Sequence, residues 1–131
     1  MTPADAVRAF LRDRGAAEEV VAEGVDGMVA RWEQAVREAE HERYPFGIED
    51  WLNELDGRQL IHELAAAVPG ALGPGATARL QEADARLHAV TELSSDCLWG
   101  DALADRMGWC VSTEWWYWRV PRAVDEDFAG A

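Results

Sequence analysis

The chain has no lysine. All 12 of its basic residues are arginine, set against 25 acidic ones for a formal net charge of −13. Schiff-base and lysine-nucleophile chemistry are therefore excluded outright. An acid excess of this size also argues against nucleic acid, because phosphate recognition depends on Lys and Arg displacing counterions from the backbone. Anionic membranes are disfavoured on the same ground. Cysteine is limited to Cys97 and Cys110, with no Cys-x-x-Cys spacing to suggest zinc. Both are read as reduced packing residues of a cytoplasmic protein. The three serines, Ser94, Ser95 and Ser112, lie in no Gly-x-Ser-x-Gly elbow, and the Gly70–Gly75 region lacks the Lys and Ser or Thr of a nucleotide-binding loop. Long apolar runs are missing too. Asp5, Arg8, Arg12, Asp13 and Arg14 interrupt the start of the chain, which disfavours a signal peptide or a membrane span.

What is abundant is tryptophan. Of seven, five fall in a short stretch near the C-terminus: Trp99, Trp109, Trp115, Trp116 and Trp118. With 131 residues, 49% of them hydrophobic, the chain suits one domain that buries roughly two thirds of its unfolded surface without a disulfide or a metal.

Helical spacing dominates. Thr2 and Pro3 match an N-cap and first position, and Val7, Phe10 and Leu11 recur on one face until Gly15. Residues 17 to 23 form a short second helix ended by Gly24. The pattern Val25, Met28, Val29, Trp32, Ala35, Val36, Ala39 then predicts a longer helix reaching Glu42. After a break at Tyr44, Pro45 and Gly47, a short helix carries Ile48, Trp51, Leu52 and Leu55. Asp56 is expected to end it and, with Gln59, to cap the next helix, which Pro69 and Gly70 terminate. A further helix runs from Ala76 through Leu80, Ala83, Leu87 and Val90 towards Ser94. Asp96 caps a last short helix through Arg106, stopped by Gly108. With no second strand to pair it, Trp109–Val120 is expected to be a turn or irregular segment packed on the helices. The expectation is an all-α single domain over 1–121, an antiparallel bundle of five or six helices closed by the tryptophan segment. Residues 122–131 read as a disordered acidic tail.

Four constellations are candidates for function. In the first, no regular geometry buries Trp115, Trp116, Tyr117 and Trp118 on one side, so these aromatics seal the core, leave an anchor for a protein partner, or form an aromatic pocket for a cationic or planar ligand. The second is the acidic run from Glu38 to Asp56, including Glu42, Asp50 and Glu54 against the single Arg43, a field suited to a basic protein. The third is a weak metal set. Glu38 and His41 stand at i, i+3 and Asp84 and His88 at i, i+4, but a di-metal bundle site needs two Glu-x-x-His elements, so neither metal nor cofactor is expected. The fourth is a polar clamp at a helix junction, with Asp50, Asn53 and Asp56 spaced three apart and Arg58 closing a buried network, or alternatively a ligand-contact site.

Asp50, Trp51, Leu52, Asn53, Leu55, Asp56 and Arg58, together with Ala83-Asp84, Thr91, Leu98-Trp99-Gly100 and Arg119-Val120-Pro121, resemble positions shared by small acidic bacterial proteins of unassigned function. That resemblance implies one helical domain and no activity. The expected function is non-enzymatic binding of a basic protein partner, in the manner of an inhibitor or immunity protein. Glu38, Glu42, Asp50, Glu54, Trp115, Trp116 and Trp118 would supply the contact. The alternative is a small helical enzyme or ligand-binding domain with a carboxylate and histidine metal site.

Overall fold

The computed structural model describes residues 2–124 and Phe128. Among them are five α-helices and one two-stranded sheet, in a mostly helical single domain. Helix α1 is Pro3–Asp13, opened by a reciprocal cap in which Thr2 Oγ1 accepts from Asp5 N and Asp5 accepts from Thr2 N, both at 3.1 Å. Helix α2, Glu18–Ala39, is broken at Gly24, whose φ of 64° and ψ of −150° are open to glycine alone without strain. The two helices expected on either side of Gly24 meet at that residue.

Helix α3, Ile48–Ala67, runs unbroken through Asp56, where two helices were expected. The Asp56 carboxylate does not cap a backbone. Its Oδ1 accepts from Tyr117 Oη at 2.7 Å and Trp99 Nε1 at 3.0 Å, which removes the competition that favours a helix break. Gly57 then costs only its propensity, about 1 kcal/mol.

Helix α4, Gly73–Val90, stops before Thr91 rather than continuing to Ser94. There Thr91–Leu93 (β1) pairs antiparallel with Arg119–Pro121 (β2), in the register Thr91 with Pro121 and Leu93 with Arg119. This pair was not foreseen, since three-residue strands leave almost no periodicity to read. Arg119 explains why it forms. Its guanidinium donates to Thr91 Oγ1 at 3.0 Å, Thr91 O at 2.9 Å and His88 O at 3.3 Å, satisfying acceptors that the end of α4 would leave open. Helix α5, Asp101–Met107, ends at Gly108 in the left-handed conformation, and Trp115–Trp118 form a single 3-10 turn.

Helix α2 packs against α1, α3 and α4. Arg79 of α4 pairs with Glu33 and Asp26, and seven residues further along both helices Arg86 pairs with Glu40. That matched advance makes α2 and α4 run in the same direction. Between them in sequence, α3 returns the chain. The core holds Leu11, Val29, Trp32, Val36, Trp51, Leu55, Ile61, Leu64 and Leu87, with Arg58 buried among them. Arg58 donates to Asp84 Oδ1 at 3.0 Å and Oδ2 at 2.9 Å, Trp32 Nε1 donates to the same Oδ1 at 2.9 Å, and the Trp116 ring covers the guanidinium at 4.4 Å.

Of the segment read as a tail, Asp125, Glu126, Asp127 and residues 129–131 lie outside the described residues. The remainder meets the body of the protein. Tyr44 N donates to Ala123 O at 2.8 Å and Ile48 N to Phe128 O at 2.9 Å. Phe128, only 6% exposed, sets its ring edge-on to Tyr44, which does the same to Trp51.

Two stability outcomes follow from this packing. Asp84→Ala strands a buried guanidinium and the Trp32 N–H, and should cost about 3–5 kcal/mol in urea unfolding. The double replacement Arg58→Met with Asp84→Leu should recover most of it, short of the unpaired indole. Phe128→Ala should cost about 3 kcal/mol, whereas a side chain in solvent would leave the unfolding midpoint unchanged.

Candidate functional site

Where α2 and α3 diverge they leave a groove of about 410 Å3. Buried Met28 and Trp32 and half-buried Leu60 supply its apolar lining, and Glu38, Asn53 and Glu54 its polar one. Asn53 and Glu54 are there because α3 is continuous, which places them one turn before Gly57 on the same side. Burial, and then the charges of Glu38 and Asp50, push the Glu54 carboxyl up to about 7. The Tyr44 hydroxyl, sheltered and unpartnered, is raised by burial and by the same three carboxylates. Among the described residues no arginine pairs with Glu38, Glu42, Glu49, Asp50 or Glu54. Arg31 lines the groove but is held by Glu23 at 3.1 Å. The groove is a concentration of uncompensated acid beside an apolar wall.

The structure thus brings Glu38, Asn53 and Glu54 together. Asp50 sits at the start of α3, accepting from Gly47 N at 3.4 Å, and Glu42 is exposed beyond the end of α2. The polar clamp does not form as expected. Arg58 turns inward to Asp84, Asp56 holds the two aromatic donors, and Asp50 caps its own helix. A helical rotation of about 100° per residue accounts for this, since Arg58 and Asp56 leave α3 in opposite directions.

Nor do the four metal candidates converge. Asp84 is committed to Arg58 and Trp32, the His88 ring lies 4.1 Å from that of Trp115, Glu38 faces the groove, and His41 is exposed. Burial and the nearby Arg119 charge lower the His88 pKa. Among the described residues no group of three His, Cys, Asp or Glu side chains is placed to hold a metal ion.

In the tryptophan segment, three residues per turn put Trp115 and Trp118 on one side of the 3-10 turn. Both are half-buried, while Trp116 and Tyr117 go into the core. Trp116 is therefore no surface anchor. The most exposed indole is Trp99, at 41%, and not one of the three tryptophans expected to make contact. Its ring is fixed by Asp56, and with Trp109 and Tyr117 it borders a second cleft of about 440 Å3. Sequence periodicity could not reveal it, because Asp56 is 43 residues from Trp99 and 61 from Tyr117. Of the cysteines, Cys97 is buried, but Cys110 is exposed, contrary to the packing role expected of both. Hydroxyls of Ser112 and Thr113, at 3.2 and 2.9 Å, hold the Cys110 thiol down at about 7.

No protein-family model matches the chain, and no curated protein or solved structure does either. Its function is argued from its own residues. Among the described residues no helix is long and apolar enough to cross a membrane.

Glu54 gives the groove a pH signature. Its ordinary value is 4.5 and its folded value about 7, so between these the folded state holds a proton that the unfolded chain has released. The contribution to stability is complete below 4.5 and fades as pH rises through 7. Glu54→Gln should therefore raise the melting temperature at pH 8, by the equivalent of about 1–2 kcal/mol, and much less at pH 5. An equal gain at both pH values would show that Glu54 is not electrostatically strained.

Proposed function

We propose that this is a non-enzymatic binding protein whose acidic groove receives a basic segment of a protein partner, as an inhibitor or immunity protein does. The observation that carries the reading is the cluster of Glu38, Asp50 and half-buried Glu54 with no arginine paired to them, which with burial pushes the Glu54 carboxyl up to about 7. Like charges kept together at a partly buried site cost folding energy, and an incoming Arg or Lys converts that cost into affinity. Exposed Glu42 extends the field beyond the groove, and the net charge of −13 steers a cationic protein from a distance. Met28, Trp32 and Leu60 suit the aliphatic stem of the inserted side chain. Trp115 and Trp118, the other expected contacts, are half-buried away from the groove lining, Trp115 against the His88 ring.

The test is low-salt affinity capture from lysate of the source cells with the native chain and with a Glu38→Gln, Glu54→Gln double variant. One basic protein should be retained in stoichiometric amount by the native chain, released by a salt gradient, and retained weakly by the variant. Binding should strengthen from pH 6 to pH 8, because the cation favours ionised Glu54. Equal capture by both proteins, or no salt-sensitive partner, would sink the proposal.

A further inference from the structure

The second cleft lies on the neighbouring arc of α3 and is bordered by Trp99, Trp109, Tyr117, Asp56, Gln59 and Glu63. Its walls are set before any ligand arrives. Trp109 and Tyr117 stack at 4.2 Å with their planes 18° apart, and Asp56 Oδ1 holds both the Trp99 indole and the Tyr117 hydroxyl. Two acceptors remain without donors among the described residues. One is Asp56 Oδ2. The other is Gln59 Oε1, on a side chain only 8% exposed. The Gln59 amide orientation is decided by its neighbour, since Nε2 donates to Glu63 Oε2 at 2.9 Å and the oxygen must take the other side. The cleft wall thus carries a desolvated acceptor just beneath its surface, a cost that a donor reaching it on a small shift of the Gln59 side chain would remove. Glu63 adds no free charge, because Arg14 at the rim pairs with it. Arg14 in turn lies over the Phe10 ring, 4.6 Å from its centre.

We propose that this cleft binds a guanidinium group. A planar cation with several N–H donors matches what the site holds: the exposed Trp99 indole beside the Trp109–Tyr117 stack, one unneutralised carboxylate and one unpaired amide oxygen. A quaternary ammonium would meet the rings but leave Gln59 Oε1 unpaired, and a neutral aromatic would leave Asp56 unanswered. The guanidinium belongs either to a free small molecule or to an arginine side chain, and the choice of probes separates these sources.

Titration calorimetry and Trp fluorescence with agmatine, with an end-blocked Gly-Arg-Gly peptide and with tetramethylammonium supply the test, at physiological salt. Saturable binding of agmatine assigns the site to a free guanidinium compound, and binding of the peptide alone assigns it to an arginine side chain. Either supports the proposal. Asp56→Asn keeps an acceptor for Trp99 and Tyr117 while removing the charge, and should weaken the bound probe by about tenfold or more. Trp99→Leu changes an exposed side chain and should weaken it several-fold without unfolding the protein. Glu92→Gln, on β1 and outside the cleft, should leave binding unchanged. Absence of binding by either guanidinium probe, or equally tight binding of tetramethylammonium, overturns the inference. An equal loss in Glu92→Gln also overturns it, since that would mean attraction to acid in general. None of these outcomes depends on the groove formed by α2 and α3.

Discussion

The ion pair between Arg58 and Asp84 is the point on which the rest of the fold depends. It is bidentate, lies between α3 and α4, accepts a third hydrogen bond from Trp32 of α2, and is covered by Trp116 of the C-terminal segment. Four separate parts of the chain meet at one carboxylate and one guanidinium. The net stability of such a pair is small, because desolvation offsets most of the attraction. Its effect is on uniqueness: a slip of α2 along α4 would carry Trp32 away from Asp84, and a slip of α3 along α4 would leave charges unpaired in the core. Arg58 has one nitrogen, Nη1, with no hydrogen-bond partner among the described residues. The indole face stacked on the guanidinium supplies part of the missing interaction.

From that arrangement follows the distribution of the remaining charge. With acids in twofold excess, each arginine that joins two elements leaves fewer to neutralise the surface. Arg79 and Arg86 tie α4 to α2, Arg14 ties the end of α1 to α3, and Arg119 closes the end of α4. Arginine is suited to this work because its planar fork meets both oxygens of a carboxylate in one fixed geometry, whereas the lysine ammonium is a point charge with rotating donors. Glu38, Asp50 and Glu54, where α2 ends and α3 begins, receive none of these partners. The acidic groove is thus the counterpart of a scaffold held by arginine.

The helices with one buried stripe were legible in the sequence. In α1 and the later part of α2, Val7 and Leu11, then Met28, Val29, Trp32, Ala35, Val36 and Ala39, recur at the helical period and are buried. Helix α3 was misread as two because it is covered on several sides. Trp51, Leu55, Ile61 and Leu64 face the core, Arg58 is buried with them, and Gln59 lies under the cleft, so apolar and polar residues alternate without one stripe. The strand pair was invisible for another reason: its stabilising residue, Arg119, acts on carbonyls about thirty residues away in the chain. The acidic residues of the groove could be named from composition and spacing, because charge density is a local property. The cleft could not, since its parts are assembled only by tertiary contact.

Helix α3 also unites the two candidate sites. At 100° per residue, Asn53, Glu54, Gly57 and Leu60 fall on one arc, and Asp56, Gln59, Leu60 and Glu63 on the next. Leu60 lies at the boundary and lines both. A rotation of α3 that widened one site would narrow the other, but Arg58 holds the opposite side of the helix against Asp84 and Trp116. With rotation blocked, the two arcs keep a fixed relation. An acidic groove and an aromatic, carboxylate-bearing cleft are then presented side by side on a rigid helix. On the binding function proposed above, such a surface would read two features of a ligand at a set spacing, and this spacing would select among basic partners where net charge alone would not.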